Sequence, residues 1–338
     1  MLSLRQPVGD AMISSRIAVC LPLFATGGLF LLAADVVAAQ SFPDHAIKVV
    51  VPFPAGGPTD TVARVVAQNL GADLGQSVIV ENQPGAGGRI GTRAVARAAP
   101  DGYTLLLGGS NSNAVTPALY KDLDFDPIKD FAPVAAIAAD SEALVVHPSV
   151  PAGTLAELVR YAMDNPGKLS SGATIGIAPH VLLELFRVRT NTKIVFIPYK
   201  GAAPAIADLL GGQIQVHVSA KSVLLPLIKS NRIRALAVLS AERWPELPDV
   251  PTMRESGFDG FPTTLWFGLL APSGTPESVI AMLNAAVNAR LNAPDTRALV
   301  NKLGLDAHAL TPQEFGAVLS DSFKLWQKVT EEAGVKLE

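Results

Sequence analysis

The sequence predicts an α/β protein of two domains, each a mainly parallel sheet flanked by helices, with two crossing strands as the hinge between them. Three observations predict it. From Ile47 onward, short β-branched runs alternate with amphipathic helical stretches, the pattern of parallel sheets covered on both faces. The last helical stretches, Pro276–Leu291, Asp295–Lys302 and Gln313–Glu332, follow the strand-like Leu265–Leu270 with few further strand signals, so they must pack on an earlier sheet. Strand-like runs flank Asp140 and Thr264, where the chain would leave its first domain and return to it. Domain 1 is therefore expected at 40–140 plus 265–338, and domain 2 at 141–264, after a leader at 1–39.

That leader reads as an export signal. Arg16 precedes an apolar run from Ile17 to Ala34, and Val36-Val37-Ala38-Ala39 suits a signal peptidase cutting before Gln40. Met12 offers a second, more ordinary start. A retained anchor is the rival, but no cationic stop follows the run. The expected address is the periplasm.

The strands are expected at Ile47–Val51, Val78–Glu81, Tyr103–Leu107 and Phe131–Ile137. Ala143–His147, Lys193–Pro198, Ile214–Val218, Arg234–Leu239 and Leu265–Leu270 follow. Between them, Thr154 with Glu157 and Thr311 with Glu314 have capping-box spacing, and Gly71 and Gly211 stand where helix C-caps belong. The segment from Trp244 to Pro262, rich in Pro, Gly and charge, reads as an excursion of domain 2 before the return.

Composition excludes several classes. The formal net charge is −3, which argues against a nucleic-acid partner. Cys20, the single cysteine, lies in the leader, so the mature chain has no disulfide, thiol nucleophile or thiolate metal site. About 300 residues suffice to bury a core without such staples. The aromatic content of 6% weakens a polysaccharide platform.

The most informative stretch runs from Val49 to Val66. A β-branched strand ends at Pro52 and Pro54, Gly56 and Gly57 follow, and a helix opens at Pro58, Thr59 and Asp60. Free amides at such a helix start favour an anion, and glycine lets it approach the backbone. The same arrangement of small-residue loop and helix start recurs at 85–91, 110–113, 174–180 and 200–204. Any one of these loops is an ordinary turn. Together, at the carboxyl ends of strands in two facing domains, they favour a binding protein for a small anion.

Rival chemistries lack their parts. Gly85, Gly87, Gly88 and Gly91 only approximate a dinucleotide fingerprint, and no acidic residue closes the next strand. The histidines His45, His147, His180, His217 and His308 form no pair at metal spacing, and His180 alone stands where it would face a ligand. Ser110 lacks a nucleophile elbow, and no Ser–His–Asp set is evident. Asp122, Asp124 and Asp126 alternate without the glycine and glutamate of a calcium loop. No metal, cofactor or catalytic residue is expected.

These residues resemble the substrate-binding receptors of tripartite tricarboxylate transporters, the Bug receptors. The resemblance rests on PFPAGGPTDTVAR at Pro52–Arg64, VENQPGAGGRIGT at Val80–Thr92, APDGYTLLLG at Ala99–Gly108 and DPIKDFAPVA at Asp126–Ala135. PYKGAAPAIADLLGGQI at Pro198–Ile214, ELPDVPT at Glu246–Thr252 and WFGLLAPSGTP at Trp266–Pro276 complete it. It implies a type II periplasmic binding-protein fold, the Venus flytrap, and capture of a small carboxylate for a permease of one large and one small membrane subunit. A monomer is expected. Carried over by residue, the ligand-facing positions are Phe53, Ala55, Gly56, Gly57 and Thr59, then Ser110, Asn111 and Asn113. In the second domain they are Thr174, Ile177, Ala178, His180, Lys200, Gly201 and Ala202, with Ser219 and Lys221 after the strand that ends near Val218.

Three departures from the family pattern bear on the ligand. Ile177 and Ala178 stand where hydroxyl donors are usual, Ser219-Ala220 replaces a polar pair, and Ser112-Asn113 replaces a Thr-His pair. Together they suggest a carboxylate with an apolar or aromatic body, with Lys221 either meeting a second acid group or lying on a helix surface. The competing functions are an exported α/β hydrolase-like enzyme and a ligand-sensing input protein for a signalling receptor.

Overall fold

Hydrophobic strands buried on both faces organise the molecule. A computed structural model describes residues 42–337, so the expected leader and its cleavage point lie outside the described residues. The first part of the chain builds β1 (Ile47–Val51), α1 (Pro58–Leu74), β2 (Val78–Asn82), α2 (Arg89–Ala96), β3 (Thr104–Gly109), α3 (Thr116–Leu119) and β4 (Phe131–Asp140). The middle builds β5 (Glu142–Val146), α4 (Leu155–Asp164), β6 (Ser170–Thr174), α5 (Ala178–Thr190), β7 (Val195–Tyr199), α6 (Ala202–Leu210), β8 (Val216–Ala220), α7 (Lys221–Lys229) and β9 (Arg234–Leu239). The last part adds β10 (Leu265–Pro272), α8 (Glu277–Leu291), α9 (Pro294–Lys302), β11 (Asp306–Ala307) and α10 (Pro312–Glu332).

Two mixed sheets result, flanked by helices. The first has the order β11-β4-β10-β3-β1-β2 and the second β7-β6-β8-β5-β9. β1 pairs in parallel with β2 and β3, and β6 with β7 and β8. The expectation of mainly parallel pairing needs a correction. β10 lies antiparallel between β3 and β4, and β5 lies antiparallel between β8 and β9. The reason is topological. β4 ends at Asp140 and β5 begins at Glu142, so β5 enters its sheet at the edge where the neighbouring strands finish. β10 makes the reverse passage after β9.

Burial follows the strand pattern. Leu105, Leu106 and Leu107 are all fully buried, which requires cover on both faces of β3. Val62, Val66 and Leu70 of α1 and Leu283 and Val287 of α8 cover one face of the first sheet. Phe315 and Leu319 of α10 pack on the other, against Trp266 and Leu270. A Cβ at position 268 would lie 2.1 Å from the Phe315 ring, so Gly268 is what lets α10 dock. Farther along α10, Trp326, Val329 and Ala333 join an apolar cluster with Leu182 and Phe186 of α5. One helix thus bridges the helical layers of both sheets.

Local signals fare unevenly. Thr311 and Glu314 form a complete capping box, and the Thr154 hydroxyl accepts from Glu157 N at 3.2 Å. Gly211 caps α6, but Gly71 does not end α1; the helix runs another turn and stops at Gly75, whose φ is 66°. Strands β6 and β11 were not expected.

Candidate functional site

The carboxyl ends of β1 and β3 in the first lobe and of β6, β7 and β8 in the second carry the loops singled out from the sequence. The β1–α1 loop is the most exposed of them in the first lobe. Ala55 and Gly56 are open to solvent, and Gly57 is half-buried. Gly57 is the N-cap of α1 with no side-chain cap, and Pro follows at the first helical position. A ring of side chains holds the loop. Asn82 Nδ2 donates to Phe53 O at 3.1 Å, and Gly56 N donates to Asp60 Oδ2 at 2.9 Å.

The sequence reading named Asp60 only as part of the helix start and gave it no role in the site. Its buried carboxylate also accepts from Arg64 Nε at 2.9 Å and Asn82 Nδ2 at 3.0 Å. Burial alone would raise this carboxyl, but the bonds from Arg64, Gly56 N and Asn82 hold it below the usual carboxylate range. One anion at this helix start is therefore the protein's own, neutralised by Arg64. The signal that could have found this pair is the i, i+4 spacing of Asp60 and Arg64 on α1.

The glycine loop at 85–91 is a packing device. Gly85, Gly87 and Gly88 have φ of 136°, 65° and 100°, and a Cβ on Gly88 would lie 3.2 Å from Phe53 and 3.3 Å from Ser112. It brings the 53–59 and 110–113 loops together.

The 110–113 segment is one turn of π-helix leading into α3. Its side chains are largely committed. The Ser110 hydroxyl accepts from Trp266 N at 2.9 Å and so holds β10 in place. Ser112 Oγ donates to Asn113 Oδ1 at 2.6 Å, while buried Asn113 Nδ2 finds no partner among the described residues. Asn111 reaches the second lobe: Ala178 N, at the start of α5, donates to its Oδ1 at 2.8 Å. Thr116, also missed from the sequence, lies 2.8 Å through its hydroxyl from both Gly87 O and Gly176 O. Two hydrogen-bonded links thus join the lobes at their facing loops.

In the second lobe, Ile177 is the N-cap of α5 and Ala178 is fully buried. Ala178 N is thus already bonded to Asn111, while Ile177 remains half-buried at the loop. Thr174 ends β6 opposite Tyr199 of β7. Gly176 N donates to His180 Nδ1 at 3.4 Å, and the buried ring tilts against Phe196 at 4.5 Å. Burial lowers the His180 pKa, so the neutral ring braces its own loop. Lys200 and Ala202 are exposed, and Gly201 between them opens α6 with no side-chain cap and no atom within 4 Å of where its Cβ would be. Their backbone faces open space.

Ser219 is buried in β8 beside Ala143. Lys221 is neither a surface residue nor a free cation. It is 5% exposed, and its Nζ stands 3.6 Å from Glu246 and 3.9 Å from Asp306. Its N–H donates to Ser141 O at 2.7 Å, in the segment linking β4 and β5. The aspartate run at 122–126 is structural: Asp124 meets Arg93 at 2.7 Å and Arg97 at 3.5 Å. No metal-holding cluster occurs among the described residues. A separate apolar furrow between α1, α8 and α9, lined by Val66, Leu70, Val287 and Val300, lies outside these loops and carries few polar groups.

Comparison with known proteins gives a consistent answer. Residues 62–335 match the family model described as the tripartite tricarboxylate transporter family receptor. The protein BugT of Bordetella pertussis is 37% identical over 321 residues, covering 94% of this chain and 98% of BugT. The periplasmic binding protein BugD superposes with a TM-score of 0.80 at 36% identity, covering 88% of this chain and 100% of BugD. Two Rhodopseudomonas palustris proteins were solved with ligands. Rpa4515 with adipate has a TM-score of 0.81 at 34% identity, covering 87% of this chain and 99% of its own. MatC with malate has a TM-score of 0.79 at 34% identity, covering 85% and 99%.

Proposed function

Because the chain belongs to the tripartite tricarboxylate transporter receptor family, a family of solute-binding receptors and not of enzymes, we propose that it captures a small carboxylate between its two lobes in the periplasm. The observation that carries this reading is the pair of uncapped helix starts at Gly57 and Gly201, each on a loop at the carboxyl end of a strand, one in each sheet. Each presents first-turn amides to an anion, although at α1 the protein's own Asp60, paired with Arg64, takes up part of that capacity.

The ligand is a carboxylate with an apolar body. Ile177 offers an apolar surface where donors would suit a hydroxylated or amino-bearing acid. The adipate held by Rpa4515 is of this kind, and the malate held by MatC shows that shorter, hydroxylated acids are also taken within the family. Lys221, matched by Glu246 and Asp306, is reassigned from the ligand to the linker between the lobes. The leader at 1–39 exports the chain and is cleaved. The lobes, 40–140 with 265–338 and 141–264, close on the ligand about the passages near Asp140 and Thr264. A large and a small membrane subunit receive the ligand. A thermal-shift panel of mono- and dicarboxylates on the mature protein tests this reading, because selective binding raises the unfolding midpoint by mass action. A flat panel would refute it.

A further inference from the structure

The segment that links the sheets carries two buried acids, and neither the ligand site nor the core accounts for them. Asp140 ends β4 and Glu142 begins β5, with Ser141 as the one residue between. Asp140 is 2% exposed and Glu142 3%. Their surroundings differ. Asp140 accepts from Ser222 Oγ at 3.0 Å and from Ser141 N at 2.8 Å and feels the charge of Lys221, yet burial still pushes its pKa up to about 7. Glu142 has no cation, and its Oε2 has no hydrogen-bond partner among the described residues. The space beside it is lined by Leu182 of α5, Leu239 of β9, Leu265 of β10 and Trp326 of α10, with Ser141, Pro262, Thr263 and Thr264 completing it. Asp140 from β4 is the charged group that acts on Glu142, and Lys221 from α7, partnered by Glu246 and Asp306, acts in turn on Asp140.

A buried carboxylate without a donor or a cation among the described residues, beside a second carboxylate, pays several kcal/mol to stay ionised, and takes up a proton instead. Burial, and then the nearby Asp140, push the Glu142 pKa up to about 8. The niche is built from both passages between the lobes, 141–142 and 262–265, and from helices of both helical layers. Rotation of the lobes about these passages would repack that niche.

We propose that Glu142 is a proton-binding residue at the hinge, and that closure of the lobes is coupled to protonation of its side chain. This rests on the reading of the protein as a two-lobed receptor that closes on its ligand. Closure with a bound carboxylate takes up a proton at neutral pH, so affinity falls as pH rises, approaching tenfold per pH unit at about one proton taken up. A mildly acidic compartment then favours capture, and an alkaline one favours release.

Glu142→Gln keeps the shape of the protonated acid and removes its titration. In the wild type, stability relative to this variant should fall as pH rises from about 5 to about 8, because the native state binds the proton more tightly than the unfolded chain. A difference independent of pH would overturn the proposal. Calorimetry with adipate at neutral pH, in two buffers of different ionisation enthalpy, should show more proton uptake in the wild type than in the variant, in which Asp140 still titrates. No uptake in the wild type, or equal uptake in both, would overturn it. Small-angle scattering without ligand covers the case in which adipate binds at no pH, which would count against the carboxylate reading. The wild type should expand more than Glu142→Gln on going from about pH 5.5 to about pH 8.5, and the coupling fails if the two respond alike.

Discussion

Replacing Gly57 by leucine should abolish ligand binding and leave the protein folded. The backbone at Gly57 has φ −82° and ψ 172°, a conformation open to any L-residue. Space for a side chain is also there: the nearest atom to an added Cβ is Pro54 O at 3.5 Å, an ordinary contact. The folded state therefore loses little, and the unfolded chain loses backbone freedom, so stability should change by less than about 1 kcal/mol. Binding is another matter. The leucine side chain stands over the first-turn amides of α1 and takes the place of the carboxylate. Charge-assisted bonds are worth roughly 1.5–3 kcal/mol each, so losing two weakens binding by at least about a hundredfold. Circular dichroism and thermal melting report the fold, and titration calorimetry with adipate reports binding. Wild-type affinity in a folded Gly57→Leu protein would refute the placement of the anion at this helix start. Neighbouring Gly56 makes a useful contrast, because its φ of 81° strains any other residue whatever the space around it.

Other outcomes follow from the same geometry. Asn111→Ala removes the acceptor for Ala178 N and should weaken binding about tenfold without changing which acids are preferred; a changed order of preference would mean that Asn111 reads the ligand itself. Small-angle scattering should show contraction with saturating ligand, and an unchanged radius of gyration would contradict closure of the lobes. Aromatic or medium-chain carboxylates should outcompete citrate and glutamate; if citrate binds best and Ile177→Thr leaves that order unchanged, the apolar reading of residues 177–178 fails. His217 gives a pH prediction. Its ring is buried, its Nδ1 lies 2.7 Å from Gly172 O and its Nε2 has no partner among the described residues, and burial lowers its pKa to about 4. Between about pH 6.5 and about pH 4 the unfolded chain binds the extra proton, so stability is lost as pH falls through that window, by up to about 3 kcal/mol. Denaturant melts of wild type against His217→Gln isolate this loss from the opposite trend of Glu142, and parallel pH profiles would refute it.

Much of the fold was legible because strands buried on both faces must be written in β-branched and aliphatic residues. Ile47–Val51 and Arg234–Leu239 coincide with the observed β1 and β9. Strand β6 escaped because Ser170-Ser-Gly-Ala-Thr174 carries no hydrophobic run. It is a strand because β7 and β8 pair with it on either side, and Gly172 makes room for the Tyr199 ring, which would lie 2.4 Å from a Cβ there. The antiparallel entries of β5 and β10 were not legible either, since strand direction is set by where the chain arrives and leaves no trace in residue type. The Gly71 error has a simple cause: glycine inside a helix costs only about 1 kcal/mol, so Gly75, one turn later, could serve as the cap. At the site, loops and helix starts were visible from glycine and proline spacing. The partners of polar side chains were not. Ser110, Asn111 and Thr116 all carry ligand-compatible groups, yet their bonds run to Trp266, Ala178 and Gly176, more than fifty residues away in each case. Lys221 shows the same limit, because its partner Glu246 meets it only through folding within its own lobe and Asp306 only through the packing of the two lobes.

A crystal structure of the mature protein with adipate would locate the anion outright. One carboxylate should lie within about 3.2 Å of backbone amides at the start of α1, between the two lobes, with the methylene chain against Ile177 and with no arginine in contact. Adipate seated in the furrow beneath α1, α8 and α9, or held chiefly by an ion pair to Lys221, would contradict capture by helix-start amides.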